Sequence, residues 1–508
     1  MRPVVSPPRH PALLAVAAAV LLAACQPAAP DDPSGASGPG VRYGELAFRP
    51  CSLSAGMGEA VEARCATVTV PENHEDPDGR SIDLAVAWVE SSGSAQPDPV
   101  LMIAGGPGQS ALESYPLLDP AFKDILRNRH VLLVDARGTG GSNPLACRDE
   151  QGNDAFSDPD DYTVEAARSF AERCREALSA RADLRFYGTA DHVRDLERVR
   201  ALVGAPELNL VGISYGTRVA QQYAAAWPER TRTVLLDSVV PNSLPLGNEH
   251  AANLEHALRV LFDRCGQEPA CIGNLGDPVA NLATVRARLE AGGLDPVDYR
   301  HPVTGEWTRD VPTYGHLALL LRMYAYQPQA TAMLPLLLHD AAGGHYQSLL
   351  AQAQMLMSDL GAQISHGMQL SVTCTEDYPD MVVDAADRDT VMGTDLIDFT
   401  RAQCEVWPRG ERAADFREPL ATDVPVLAIS GEFDPVTPPR YGDEVVAHLP
   451  NGRHLVLPGQ GHSVLAAGCM PKLAAQFIES ADAGALDASC LDRLQPVPPF
   501  AGTYGWEP

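Results

Sequence analysis

Residues 208–217 read Leu-Asn-Leu-Val-Gly212-Ile-Ser214-Tyr-Gly216-Thr: an apolar run, then a serine with a glycine two residues away on either side. A short apolar run bounded by turn residues reads as a strand buried on both faces, the kind found in parallel sheets. Residues 217–227 continue with a helical pattern that Pro228 stops. A serine on so sharp a strand-to-helix turn is held in a strained conformation that presents its hydroxyl. Only glycine on both sides lets the chain pass closely enough. The helix N-terminus beneath favours developing negative charge. Ser214 is the candidate nucleophile, and the N–H of Tyr215 is a candidate donor to an oxyanion.

Working outward, residues 82–89, 100–104 and 130–135 read as strands before this turn, and 233–236 as the strand after its helix. A helix is expected over 191–202, with Thr189 placed to cap it and Gly204 to end it. Strand signals return at 424–430 and 454–457. Between about 241 and 419 helix-like stretches dominate (251–262, 313–326, 346–360) without strand–helix alternation. The pattern predicts an α/β fold, a mostly parallel doubly wound sheet with an inserted helical cap. The core would comprise residues 41–240 and 421–508, and the cap 241–420.

A serine hydroxyl becomes a nucleophile only when a base takes its proton and a carboxylate orients that base. Asp434 lies in the loop leaving the strand at 424–430, and His462 in the Gly-rich loop leaving the strand at 454–457. Sheets of this kind place their sites at such strand ends. Glu432 and Asp237 are rival acids, whereas His454 starts a strand and reads as structural. The second oxyanion donor should come from Gly105-Gly106-Pro107-Gly108. Gly106 is the choice, because Pro107 has no N–H, and Gly105 is the fallback.

The segments 105–110 (GGPGQS), 135–142 (DARGTGGS), 212–217 (GISYGT), 431–438 (GEFDPVTP) and 459–462 (GQGH) together resemble the α/β-hydrolase serine peptidases that include prolyl iminopeptidases and bacterial tripeptidyl aminopeptidases. Cys374 and the segment 404–408 (CEVWP) are similar to the region leading into the C-terminal part of the tripeptidyl type, which makes 421–508 TAP-like. Ala104 departs from the prolyl subtype, which usually has His there. The resemblance implies an aminopeptidase, prolyl or tripeptidyl, that acts on peptides from a free N-terminus through an acyl-enzyme and needs no cofactor. It also implies cap carboxylates that bind the substrate ammonium. Glu376 is the candidate and Asp377 nearly as good. Asp135 and Arg137 are expected to form an ion pair behind the oxyanion turn. A carboxylesterase on the same three residues is the alternative, and an inactive binding lipoprotein a remote one.

The chain of 508 residues opens on positive charge and an apolar run from 11 to 24, too short to span a bilayer but suited to a signal peptide over 1–24. Its end, Leu22-Ala23-Ala24-Cys25, resembles the lipobox of bacterial lipoproteins, making Cys25 the lipidated residue and 25–40 a flexible tether. Gln26 after the cysteine points to the periplasmic face of the outer membrane in a Gram-negative cell. The other ten cysteines of the 11 are expected to pair as sequence neighbours: Cys51–Cys65, Cys147–Cys174, Cys265–Cys271, Cys374–Cys404 and Cys469–Cys490. No CxxC pair or His-rich cluster suggests a metal. A net charge of −28 argues against nucleic acid as a partner. The sequence is silent on oligomeric state.

Overall fold

The run from Leu208 to Ile213 is a strand near the middle of a ten-stranded sheet. The computed structural model describes residues 40–55, 60–148, 163–502 and 505, so the expected signal peptide, Cys25 and nearly all of the tether lie outside the described residues. In chain order the strands are β1 (Val41–Tyr43), β2 (Leu46–Leu53), β3 (Val61–Pro71), β4 (Ser81–Val89), β5 (Val100–Ile103), β6 (Val131–Val134), β7 (Leu208–Ile213), β8 (Thr231–Asp237), β9 (Val297–Arg300), β10 (Trp307–Asp310), β11 (Val426–Gly431) and β12 (Gly452–Leu457). The main sheet runs β1-β2-β3-β4-β6-β5-β7-β8-β11-β12. Its first four strands pair antiparallel, and the six from β6 to β12 run parallel.

Every residue of β5, β6, β7 and β11 is buried. Such strands are apolar on both faces because helices cover both. Helix α1 (Ala111–Phe122) and the helix Met470–Ser480 pack on one face; α2 (Val164–Ser179), α3 (Thr189–Val203) and α4 (Tyr215–Ala226) pack on the other. Each buried Leu, Ile, Val or Phe contributes roughly 1.5–3 kcal/mol, so the sheet is the rigid part of the molecule. Register sets its active edge. Ile213 pairs with Asp237, Asp237 with Ile429, and Gly431 with Leu457, so the loops after β7, β8, β11 and β12 leave side by side.

Between β8 and β11 come α5 (His250–Gln267), α6 (Pro269–Leu275), α7 (Pro278–Ala291), α8 (Tyr314–Tyr324) and further helices. Leu254, Leu258, Val285, Leu317, Leu321 and Leu338 are among the members of a buried cluster of their own there. The segment also holds the antiparallel hairpin β9–β10, which the sequence reading did not anticipate. Its strands have four residues each and stay largely exposed, too short to register against the helical pattern around them. At α3, Gly188 and not Thr189 is the N-cap, whereas Gly204 ends the helix at φ 74° as expected.

All five expected disulfides form: Cys51–Cys65, Cys147–Cys174, Cys265–Cys271, Cys374–Cys404 and Cys469–Cys490. Five such bonds mark an exported protein. Thiol titration of the denatured, unreduced protein should find none of these ten cysteines free. Replacing Cys374 and Cys404 together by Ala should lower unfolding stability by about 2–4 kcal/mol in urea titration, and an unchanged midpoint would refute that contribution.

Candidate active site

Ser214 sits at φ 55°, ψ −124°, a left-handed conformation that a side chain adopts only under strain. Packing allows no larger neighbours. A Cβ on Gly212 would lie 2.4 Å from the Gly216 carbonyl oxygen, and one on Gly216 would lie 2.3 Å from that of Ile103. The Ser214 carbonyl accepts from the N–H and hydroxyl of Thr217 at 2.9 and 2.6 Å, and its own N–H donates to the Asp237 carbonyl at 2.8 Å. The serine side chain is left half-buried at the strand edge.

His462 and Asp434 meet as the sequence suggested, with Nδ1 and Oδ2 2.8 Å apart. Asp434 also accepts from the N–H groups of Val436 (2.9 Å) and Thr437 (2.8 Å) and from the Thr437 hydroxyl (2.8 Å). Burial pushes the Asp434 carboxyl up, but the His462 charge and these hydrogen bonds outweigh it and hold it below its ordinary value. Burial likewise pushes the His462 imidazole down, and the charge and hydrogen bond of Asp434, with the charge of Asp237, outweigh that and hold it above its ordinary value. Nδ1 thus faces the carboxylate, leaving Nε2 as the basic nitrogen; the sequence reading missed Thr437, which lies only in a turn after Asp434. His462 is further held by a hydrogen bond from its N–H to the Tyr326 carbonyl (2.8 Å) and by the Tyr326 ring edge, centroids 5.0 Å apart.

The rival acids do other work. Asp237 accepts from the N–H groups of Val464 and Leu465, each at 2.9 Å, so it grips the loop that carries His462. Glu432 is exposed and binds Arg264 (2.8 Å) and the Gly459 N–H (2.7 Å). His454 is structural, set between Asp443 and Ser430 at 2.8 and 2.9 Å.

Tyr215 opens α4, so its N–H has no intrahelical acceptor. Gly105 passes directly over the nucleophile: a Cβ there would lie 3.0 Å from the Ser214 Cβ. The Gly105 carbonyl turns back toward the Gln109 N–H (3.4 Å), so in the planar peptide it shares with Gly106 the Gly106 N–H points the opposite way. Asp135 anchors this turn by accepting from Ser110 Oγ (2.6 Å) and from the N–H groups of Leu112 (3.0 Å) and Gly141 (2.9 Å). The expected Asp135–Arg137 pair does not form. Arg137 instead makes two bonds of 2.7 Å to Asp195, 58 residues further on. Ala104 lines a small cavity shared with His192, whose imidazole burial pushes down to about 4.

Glu376 and Asp377 are brought together, both buried and both bonded within the fold. Glu376 is buried and accepts from the Thr189 N–H (2.6 Å) and hydroxyl (2.8 Å) at the start of α3, and that hydroxyl also meets the Tyr215 OH at 2.6 Å. Asp377 is fully buried against Arg218 (3.0 Å) and Arg417 (3.1 Å). Burial, with the charge of Asp377, pushes the Glu376 carboxyl up to about 7.

A family model described as alpha/beta hydrolase fold matches residues 98–262, the span that carries the oxyanion turn and the Ser214 elbow. The chain is an α/β hydrolase. A second model, described as TAP-like protein, matches residues 390–490 of the hydrolase, where Asp434 and His462 lie. Over 444 residues it is 26% identical to the serine protease Hip1 of Mycobacterium tuberculosis, covering 80% of this chain and 82% of that protein. It is 31% identical over 192 residues to a tripeptidyl aminopeptidase of Streptomyces coelicolor, 35% of each chain. A carboxylesterase B of M. tuberculosis is 31% identical over 234 residues, 43% of this chain and 44% of that one. The hydrolase is an enzyme of the serine type.

A base must be neutral to accept a proton, so kcat/KM should rise with pH along a limb centred above 6.5, the side to which Asp434 moves His462. Asp434→Asn should shift that limb downward and cut turnover by about 10⁴-fold. A pH–rate profile with its limb unmoved in the variant would refute the pairing.

Proposed function

We propose that this hydrolase is an exported serine peptidase, an aminopeptidase that cleaves short peptides from a free N-terminus. The observation that carries the reading is the buried His462–Asp434 pair, tied through Asp237 to the strained Ser214. Ser214 Oγ attacks the scissile carbonyl carbon while His462 Nε2 takes its proton. The N–H groups of Tyr215 and Gly106 receive the oxyanion, each worth roughly 3–4 kcal/mol in the transition state. Collapse of the tetrahedral adduct breaks the C–N bond, and the leaving amine takes the proton from His462. Water then repeats the sequence on the acyl-enzyme and frees the acid and the serine.

Peptide bonds are favoured over esters as the natural target because the alignment with a serine protease spans most of the chain, whereas the carboxylesterase match spans less than half. The TAP-like match and the tripeptidyl aminopeptidase relative support action at a free N-terminus. Residues 241–420 act as the cap that bounds the substrate. The segment 1–24 directs export, and Cys25 carries a lipid that holds the enzyme to the cell envelope, at the periplasmic face of the outer membrane in a Gram-negative cell.

A fluorophosphonate probe should label the protein, and Ser214→Ala should abolish labelling; labelling that survives removes Ser214 from its role. Blocking a peptide's α-amino group by acetylation should lower kcat/KM by at least about tenfold, the effect of one charge-assisted contact. Equal cleavage of blocked and free peptides, read by mass spectrometry, would exclude the aminopeptidase.

A further inference from the structure

The cap brings an unusual set of groups against the catalytic histidine. Helix α8 ends two residues before Tyr326, whose carbonyl holds the His462 N–H and whose ring edge packs on the imidazole. Arg322, one turn earlier on the same face, is half-buried and its charge acts on the Tyr326 side chain. From the other side the first turn of α5 rests on the acid loop, because Asn253 donates to the Val436 carbonyl at 2.9 Å. His250, in that turn, is 8% exposed, and among the described residues neither ring nitrogen has a hydrogen-bond partner. It lies close enough to Arg322, His462 and Asp434 to feel all three charges.

His250 stands out because, among the described residues, no other side chain has two buried polar atoms without a partner, and the half-buried Arg322 beside it has no carboxylate partner there either. Elsewhere the deeply buried arginines are matched by carboxylates: Arg129 by Asp98 (2.9 Å), Arg137 by Asp195 (2.7 Å) and Arg218 by Asp377 (3.0 Å). In a chain with 66 acidic residues against 38 basic ones, a carboxylate for Arg322 would be easy to supply. Among the described residues none is in ion-pair contact with it. A buried imidazole with both nitrogens unmatched costs about 1–3 kcal/mol per group, which a bound partner would recover. The missing partner must be an acceptor that suits a guanidinium and a neutral imidazole N–H together. Burial, together with the charges of Arg322 and His462, pushes the His250 imidazole down to about 3, so it remains a neutral donor. The chemistry that fits is a carboxylate.

We propose that Arg322 and His250 form the subsite for a substrate carboxylate, so that the enzyme selects peptides bearing a negative charge beside the scissile bond. The peptide form of this inference rests on the peptidase reading above. The carboxylate has two sources: the C-terminal group of a short peptide, or an Asp or Glu side chain.

Three substrate pairs test it, each read as a ratio of kcat/KM within one enzyme preparation. One is a short peptide as free acid and as amide. The second is a longer amidated peptide with Asp or Asn after the cleaved bond. The third is mono-p-nitrophenyl glutarate against p-nitrophenyl butyrate. At least one ratio should favour the carboxylate by about ten- to hundred-fold. The first pair identifies a C-terminal group and the second a side chain. Arg322→Gln should bring the ratio close to one, while Arg322→Lys should keep part of it. Misfolded protein lowers both members of a pair and leaves the ratio intact. Should the Gln variant give no active enzyme, His250→Gln is expected to reduce the same ratio, and an unchanged ratio there overturns the proposal. Ratios near one for all three pairs in the unaltered enzyme overturn it, as does a preference that survives Arg322→Gln. Cleavage of peptides without any preference removes the carboxylate subsite alone. A glutarate preference that depends on Arg322, with no peptide cleaved, removes the peptidase reading alone.

Discussion

The N–H of Ser214 donates to the carbonyl of Asp237, and the carboxylate of that same residue accepts from the N–H groups of Val464 and Leu465. One residue at the end of β8 therefore joins the nucleophile turn to the loop of the catalytic histidine. Neither contact is sequence-local: Asp237 is more than twenty residues from Ser214 and more than two hundred from Val464. Holding this carboxylate away from water is costly, and burial pushes it up to about 6 despite two backbone N–H donors. The cost persists because the six parallel strands present their ends in register, and a fixed register requires something to tie the loops that leave it. A shift of the His462 loop by even about 1 Å would forfeit much of the rate that positioning supplies.

The same edge explains what could be read from the sequence and what could not. Buried parallel strands are near-continuous apolar runs, so β7 was delimited to the residue and β11 and β12 to within two residues or so. The elbow glycines and the two loop motifs are local signals; the loops that carry the three residues leave the sheet side by side, and His462 meets Asp434 there. Pairings that cross the fold have no local signal. Arg137 stands two residues from Asp135 and was assigned to it, yet the side chains at 135 and 137 serve different layers. One fixes the start of α1 and the other the side of α3. Cysteine pairing was legible because each bond links neighbours in the list of cysteines, within 6 to 30 residues. The hairpin β9–β10 was lost for the opposite reason, since four-residue exposed strands carry too little pattern to compete with helices on both sides.

Glu376 shows how a carboxylate from the helical segment between β8 and β11 is bound into the sheet side of the fold. The segment from Thr373 to Asp377 is a π-turn anchored by Cys374, and it drives Glu376 into the start of α3, where a free N–H and a hydroxyl await an acceptor. A helix start offers N–H groups that a carboxylate can satisfy. The consequence reaches the reaction centre all the same. Thr189 passes the contact on to the Tyr215 hydroxyl, and the N–H of Tyr215 faces the oxyanion in the proposed mechanism. Glu376 is thus connected to the reaction centre through Thr189 and Tyr215.

Substrate recognition then has to be sought among groups whose hydrogen bonds the fold leaves open. Asp377 is paired with Arg218 and Arg417 through Oδ1, while Asp135, Asp195 and Arg137 are taken up by loop and helix anchoring. In a protein of net charge −28 an acidic residue is the cheapest partner available for any cation. Arg322, half-buried beside the Tyr326 that holds His462 and without a carboxylate partner among the described residues, is therefore more informative than the acids around it. The cap is bonded to the catalytic loops at Tyr326 and at Asn253, so its helices cannot shift without disturbing His462 and the acid loop. A ligand seated between α5 and α8 would press on both contacts at once, and binding there would be felt directly by the pair that carries the proton.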